Sequence, residues 1–519
     1  MRSTKPENPP ETAGQNAVLD FLAGRHRNGA VKRIDTHASI VFLEPDRVLK
    51  IKRAVCLPFL DYSTLEKRKR ACEEELAVNQ RYAPALYRRV LPITRGAAGP
   101  EIGGTGPPIE WAVEMARFDE RQTLDHLAAI DEVAPELADA LAEVMRASHA
   151  DAPVADRSEW PASVAGIIDR NTKKFRGQTA LAGEAVERLH ALSHRQLAEH
   201  LPLMKQRAEA GLVRHCHGDA HLGNIVLVGG KPVLFDAIEF DPAIATTDVL
   251  YDLAFPIMDL IHFGRYVAAN RLFNDYLQPA WREHADALGL LPLFLSIRAA
   301  IRAHVLFTTC EQSHNDAAPI AQAKSYFDLA LELIAPGAPS LIAIGGRSGT
   351  GKTALARSLA GLVTPLPGAV ILRSDVIRKE LFGVDALVAL PATAYNSETS
   401  ARVYRTMAER ARAIIGQGLS VILDAAFLRE AERNALALAA HETGTAFRPV
   451  FLSLDCDERL KRVASRRRDA SDATRDVALQ QESIDIGRMD WPQVDASGSP
   501  KETIERSVPH LGPAIRGPR

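Results

Sequence analysis

Gly346-Arg347-Ser348-Gly349-Thr350-Gly351-Lys352-Thr353 satisfies G-x-x-x-x-G-K-[ST] at every fixed position. The apolar run Leu341-Ile342-Ala343-Ile344 precedes it, and residues 354–359 follow with helical character. Strand, glycine loop and helix N-terminus make a phosphate cradle. The glycines let backbone N–H groups close around phosphate oxygens, and the helix end adds partial positive charge. Lys352 is placed to reach the outer phosphates of ATP, and the Thr353 hydroxyl to meet Mg2+.

A second group of reactive residues lies in the first half. In His217-Gly218-Asp219-Ala220-His221-Leu222-Gly223-Asn224, a carboxylate is followed five residues later by a carboxamide. The strand-like Ile225-Val226-Leu227-Val228 comes next, then a turn at Gly229-Gly230-Lys231, then Pro232-Val233-Leu234-Phe235 ending on Asp236. Such a hairpin brings Asn224 and Asp236 to one end of its ladder. Their oxygens suit Mg2+, a hard cation. Asp219 is then left to accept a proton from a hydroxyl nucleophile.

This block resembles the catalytic loop and metal-binding aspartate of the protein-kinase-like fold, in the form found in aminoglycoside and choline phosphotransferases. The resemblance implies Asp219 as catalytic base, Asn224 as metal ligand and Asp236 as metal aspartate, with Glu239 and Asp241 as acidic alternatives to Asp236. Asp248 and Asp252 compete for the downstream aspartate that orders the loop, and helix capping is the other reading of Asp248. His221 is read as a packing residue. In the same fold a strand lysine grips the nucleotide and pairs with a helix glutamate. Lys50 and Lys52 alternate onto one strand face, and Val48-Leu49-Lys50 is closer to the family pattern, which favours Lys50. Glu75 lies beside the stripe Leu65, Cys72, Leu76 and is the better partner, since Glu74 points away. Val113-Glu114-Met115 is the expected hinge strand. No G-x-G-x-x-G loop occurs before it.

Beyond the phosphate loop, Ala369-Val370-Ile371-Leu372-Arg373-Ser374-Asp375 reads as a strand ending on an acid, with Arg378 one turn into the next helix. Both face the loop across the carboxyl ends of a parallel sheet. Ser420-Val421-Ile422-Leu423-Asp424 is a second strand of this kind, with Asp424 beside Mg2+. This half resembles small-molecule P-loop kinases of the gluconate-kinase, chloramphenicol-phosphotransferase and zeta-toxin type. That likeness implies Asp375 as activator of the acceptor hydroxyl and Arg378 as an acceptor-binding residue. Arg459, Arg462, Arg466, Arg467 and Arg468 resemble a nucleotide-kinase lid. Arg462 and Arg466 share one helix face and are assigned to ATP.

The elements that must position these residues fill 519 positions, too many for one ordinary core. The strand-rich start and helical continuation predict an α+β kinase-like domain over 30–334, after a flexible tail at 1–29. Ala335-Pro336-Gly337-Ala338-Pro339-Ser340 reads as a linker (335–340), followed by an α/β P-loop domain with a parallel sheet over 341–519. Residues 96–108 read as a glycine- and proline-rich loop. The order of parts resembles the bifunctional aminoglycoside-phosphotransferase/ATP-binding protein family. A net charge of −2 gives no global reason to bind nucleic acid or membrane. The five cysteines form no C-x-x-C pair, so no zinc site or disulfide framework is expected. No apolar run of the ~20 residues that span a bilayer stands out, so a cytoplasmic protein is expected. The reading is an ATP- and Mg2+-dependent phosphotransferase acting on a small-molecule hydroxyl. The alternative is a regulatory pair in which one nucleotide-binding domain controls the other.

Overall fold

The computed structural model describes residues 10–25, 31–36, 38–57, 60–155, 159–312, 317–465 and 470–516. By spatial contact the chain forms two compact units. One comprises 1–132, 144–163 and 204–256; the other comprises 133–143, 164–203 and 257–519.

The first unit is built on an antiparallel sheet. Its strand order is Lys32–Asp35, Ser39–Leu43, Arg47–Lys52, Pro108–Ala116, Tyr87–Gly96, Gly99–Ile102. Alternation sets its two faces. Ile40, Phe42, Leu49, Ile51, Leu91, Ile93 and Ala112 point into one core, and Val48, Val113 and Met115 point into another with Cys72 and Tyr87. The helix Leu65–Asn79 starts at Thr64, whose hydroxyl accepts from Lys67 N at 3.3 Å. Its buried face is Arg68, Ala71, Cys72, Glu75 and Asn79, so charge sits inside it and must be matched.

Two expectations need correction here. Within the expected flexible tail at 1–29, Pro10–Gly24 is a helix. Val18, Leu19 and Leu22 bury one face against the sheet, each contributing roughly 1.5–3 kcal/mol. Gln15 is buried too, donating to Lys52 O at 2.8 Å and to Glu110 Oε2 at 2.7 Å. The region 96–108 is also more ordered than a loop, because Gly99–Ile102 pairs with the end of Tyr87–Gly96.

Below this sheet in the chain, Ile225–Val228 and Lys231–Leu234 form the expected hairpin, with Ile225 opposite Leu234. Phe235 N donates to Asn224 O at 3.0 Å, which closes the hairpin end between Asn224 and Asp236. Val213–His215 pairs with Thr246–Asp248, and this pair frames the loop between them.

The second unit holds an all-parallel sheet ordered Val370–Arg373, Val421–Asp424, Ser340–Gly346, Ala446–Ser453, Gln493–Asp495. Ser340–Gly346 is buried along its whole length, as a central strand covered on both faces must be. Leu355, Ala356, Leu359 and Ala360 of the helix Lys352–Ala360 pack onto Ile342, Ile344 and Ile422.

Helices from 257–334 belong to the same unit and meet this sheet along a polar seam. Asn270 Nδ2 donates to Pro367 O at 3.1 Å and Ala369 O at 3.0 Å. Asn274 accepts from Ile371 N at 2.8 Å and donates to Ala369 O at 3.1 Å. At Gly361 any side chain would overlap the carbonyl of Tyr266. Nearby, Asp275 lies between Asp139 and Arg357. One helical stretch, Trp281–Glu311, is long and apolar enough to cross a membrane, and 67% of its most apolar window is buried inside the protein.

Candidate active sites

The first site gathers on the loop 217–224 and the hairpin that follows. Gly218 turns at φ +81, where an added Cβ would lie 3.1 Å from Ala245 Cα; only glycine accepts both the angle and the space. Its N–H donates to Asp252 Oδ1 at 2.9 Å, and Asp252 Oδ2 meets His149 Nε2 at 3.1 Å. Asp252 is thus the residue that orders this loop. Asp248 instead accepts from Leu250 N at 2.8 Å and takes a bidentate pair from Arg207 at 2.7 and 2.8 Å. His217 is buried, donating Nε2–H to Phe235 O at 2.9 Å. Asn224 Nδ2 donates to Asp219 O at 2.9 Å and to Asp219 Oδ2 at 3.1 Å. That leaves the carboxamide oxygen of Asn224 as the atom to offer a cation. His221 caps the turn, accepting from Gly223 N at 3.0 Å.

Both candidate lysines converge on Glu75. Lys50 Nζ lies 2.8 Å from Glu75 Oε1 and 2.5 Å from Asp236 Oδ1. Lys52 Nζ lies 2.6 Å from Glu75 Oε2 and also pairs with Glu239. Lys50 is therefore the lysine that joins the helix glutamate to the hairpin aspartate, and Lys52 backs it from deeper inside. Burial opposes every charge in this group. At Glu75 the two ammoniums outweigh burial, so its carboxyl sits below its usual range. Lys50 does the same for Asp236. At Glu239 burial wins and the carboxyl is pushed up. Lys50 is raised well above its ordinary value, because Asp236 and Glu75 together overcome burial. Asp236 itself has φ +60. That left-handed turn is costly for a non-glycine residue and recurs at functional positions. Asp241 is committed elsewhere, accepting from Ala243 N at 2.9 Å as a helix cap.

The second site surrounds the glycine loop. Thr353 Oγ1 donates to Asp424 Oδ2 at 2.6 Å, and Arg373 Nε stands 3.5 Å from the same oxygen. Lys352 Nζ donates to Arg347 O at 3.2 Å. Burial pushes the Asp375 carboxyl up, Arg373 and Lys352 pull it down, and Asp424 adds to the rise; the net direction is upward. Asp375, Lys352 and Asp424 thus share one electrostatic environment. Arg378 is buried, donates to Ala394 O at 2.8 Å and lies 4.8 Å from the centre of the Tyr395 ring. Its guanidinium packs on the wall formed by Tyr395, whose ring also lies in the field of Asp375. Asp472 closes that wall, taking Lys379 Nζ at 2.6 Å and Tyr395 Oη at 2.5 Å. Arg462 NH2 donates to Ala496 O at 3.1 Å, while its NH1 lies 3.8 Å from where a Cβ on Gly351 would sit. Arg466 lies outside the described residues.

With both sites in view, comparison with known proteins supplies the family. The sequence profile of the phosphotransferase enzyme family matches residues 8–287, more than half of the chain, and that of an AAA domain matches 341–484. The chain belongs to the phosphotransferase enzyme family. This phosphotransferase joins a kinase-like N-terminal domain to a P-loop kinase-like domain. Its activity class is phosphoryl transfer of the kinase type. An uncharacterized protein of Mycobacterium tuberculosis is 27% identical over 490 residues, which is 92% of this chain and 94% of the relative. An uncharacterized protein of Mycobacterium bovis matches equally. Among solved structures, a choline/ethanolamine kinase family protein from Mesorhizobium loti is 17% identical, covers 62% of this chain and 99% of its own, and has a TM-score of 0.36. A gluconokinase from Sinorhizobium meliloti is 18% identical, covers 33% of this chain and 91% of its own, and has a TM-score of 0.25.

Sequence reasoning counted Arg459 among the lid-like arginines, not as a partner of the glycine loop, and missed Gln481 and Glu482 altogether. Arg459 stands one turn before Arg462, a spacing that could have singled it out. Nothing local marks Gln481 or Glu482. His149 was missed too, since only the fold brings it to Asp252.

Proposed function

We propose that this phosphotransferase carries two ATP sites, each transferring the γ-phosphate of MgATP to a hydroxyl of a small metabolite or antibiotic. One observation carries the reading. Each half has its own lysine, its own pair of oxygen donors for a cation and its own further carboxylate. The first set is Lys50, the pair Asn224 and Asp236, and Asp219; the second is Lys352, the pair Thr353 and Asp424, and Asp375. In the first set Asp219 is half-exposed and held by Asn224, so an acceptor hydroxyl can reach it and give up its proton. Lys50, braced by Glu75, holds the nucleotide phosphates. In the second, burial raises the Asp375 carboxyl above its ordinary value, which strengthens it as a proton acceptor, and Lys352 holds the phosphates. The donor sets are all oxygen, which fits Mg2+; when bound, the ion supplies charge neutralisation on the transferring phosphates.

A second reading has an observation of its own. The turn between Ser39–Leu43 and Arg47–Lys52 has no glycine, and its Glu44 is buried and paired with Arg47 at 2.7 Å. Without glycine the turn cannot bring its backbone N–H groups as closely around phosphate, which favours a first domain that senses ligand and controls the second.

Calorimetric titration of the intact chain with MgATP separates the two. Near two sites per chain, with Asp219→Ala and Lys352→Ala each abolishing turnover of one acceptor, supports the two-kinase reading. Near one site, removed by Lys352→Ala, overturns it and favours regulation.

A further inference from the structure

The segment Gln481–Ser483 touches the phosphate loop at several points. Ser348 N donates to Gln481 Oε1 at 2.7 Å, and Arg347 Nε donates to Gln481 O at 3.1 Å. Glu482 pairs with Arg459 and lies 3.7 Å from Arg347 Nε. Arg459, with its side chain 1% exposed, returns to the loop by donating NH1 to Ser348 O at 3.1 Å. Gly349 seals the arrangement. At φ +91, a Cβ on it would lie 2.6 Å from Arg459 O and 3.0 Å from Arg459 Cα. The stretch 347–349 is therefore held at an N–H, at a C=O and at an α-carbon by groups outside the motif. Arg459 and Gln481 thus reach the loop from two separate stretches of the chain.

We infer that Gln481, together with the Glu482–Arg459 pair, clamps the phosphate loop in its working shape, which makes Gln481 a positioning residue for nucleotide binding. The inference rests on the loop binding nucleotide, as proposed above. A run with three glycines has wide conformational freedom, and ordering it on binding costs affinity. The clamp supplies that order beforehand. A carboxamide suits the place, because it accepts from Ser348 N without setting a negative charge beside incoming phosphates. The one charge brought close, Glu482, is matched by Arg459 and Arg347.

The test uses the full-length chain and three variants, Gln481→Ala, Gln481→Asn and Gln481→Glu. Amide exchange at Ser348 is followed without nucleotide, and affinity for the magnesium complex of a non-hydrolysable ATP analogue is measured at the Lys352-dependent site. Gln481→Ala should speed Ser348 exchange and weaken analogue binding about tenfold, the scale of one backbone N–H left without its acceptor. Gln481→Asn, one methylene short, should behave alike. Gln481→Glu keeps an acceptor between Arg347 and Arg459 and should restore slow exchange. Melting temperature should stay unchanged throughout, which separates positioning from a general loss of structure. Unchanged exchange and affinity in Gln481→Ala overturns the clamp. Faster exchange with unchanged affinity overturns the positioning role. If the wild type shows no Lys352-dependent binding, the nucleotide reading has failed, and Ser348 exchange still decides whether the clamp exists.

Discussion

Glu75→Ala is the sharpest perturbation of the first site. Glu75 is fully buried and receives Lys50 at 2.8 Å and Lys52 at 2.6 Å. At an effective dielectric of about 20, each pair at such separation carries a gross attraction of about 6 kcal/mol. Desolvation offsets most of that, so the pairs themselves add little net stability. Removing only the glutamate is different: it strands two buried ammoniums on Asp236 and Glu239 and should cost about 3–5 kcal/mol. With a urea slope of about 2 kcal/mol per molar, the unfolding midpoint should fall by about 2 M. Glu74→Ala is the internal control. It is the next residue, exposed, and should change stability by less than about 0.5 kcal/mol. The chain holds two units, so a single global transition is not assured. Hydrogen exchange in the strand Arg47–Lys52 is therefore the decisive readout. The pH dependence has a fixed sign. The folded Glu75 carboxyl lies below its ordinary 4.5, so its contribution is present above that value and lost as pH falls through the folded one. The wild type should lose protection below about pH 4.5, and Glu75→Ala should already lack it. Equal effects of Glu74→Ala and Glu75→Ala would refute the argument.

Other outcomes follow from the same geometry. Lys352→Ala should weaken nucleotide binding at the glycine loop by about a hundredfold, since a charge-assisted phosphate contact is lost; calorimetry on the full chain checks it. Asp252→Ala should release Gly218 N and His149 together and destabilise the first unit by about 3 kcal/mol, read by urea unfolding. Burial, then the hydrogen bond with Asp139, raises Asp275 from its ordinary 3.8 to about 7. The folded form then holds a proton that the unfolded form has lost, so stability falls as pH rises between these values. Between pH 5 and pH 8 that fall should be about 2.7 kcal/mol at full linkage; Asp275→Asn should remove about 1.4 kcal/mol, half of it once coupling to Asp139 is discounted, and denaturation at the two pH values would show it.

The reactive residues were legible where their partners are local. The glycine motif spans eight consecutive positions and His217–Asn224 another eight, and in each case neighbouring strand patterns supply the context. Alternation could not choose between Lys50 and Lys52, because it places both on one face; only the family pattern favoured Lys50. Asp236 and Glu239, which distinguish them, lie 186 and 187 residues further on. Gln481 reaches Ser348 across 133 residues with no motif of its own. The helix Pro10–Gly24 was hidden by a polar start, since three apolar side chains suffice to anchor it once a sheet is there to receive them. Composition cannot reveal that receiving surface.

The seam around Asn270 and Asn274 bears on how this chain could be taken apart. The stretch 335–340 invites a cut, yet a fragment beginning there would lose the helices that satisfy the carbonyls of Pro367 and Ala369. It would also bare Gly361, a position shaped to receive another segment's backbone. Such a fragment would carry a raw polar edge and tend to associate with itself. A workable dissection has to keep 257–334 with the parallel sheet. The boundary of this folding unit therefore lies upstream of the Pro- and Gly-rich stretch that the sequence marks as a joint.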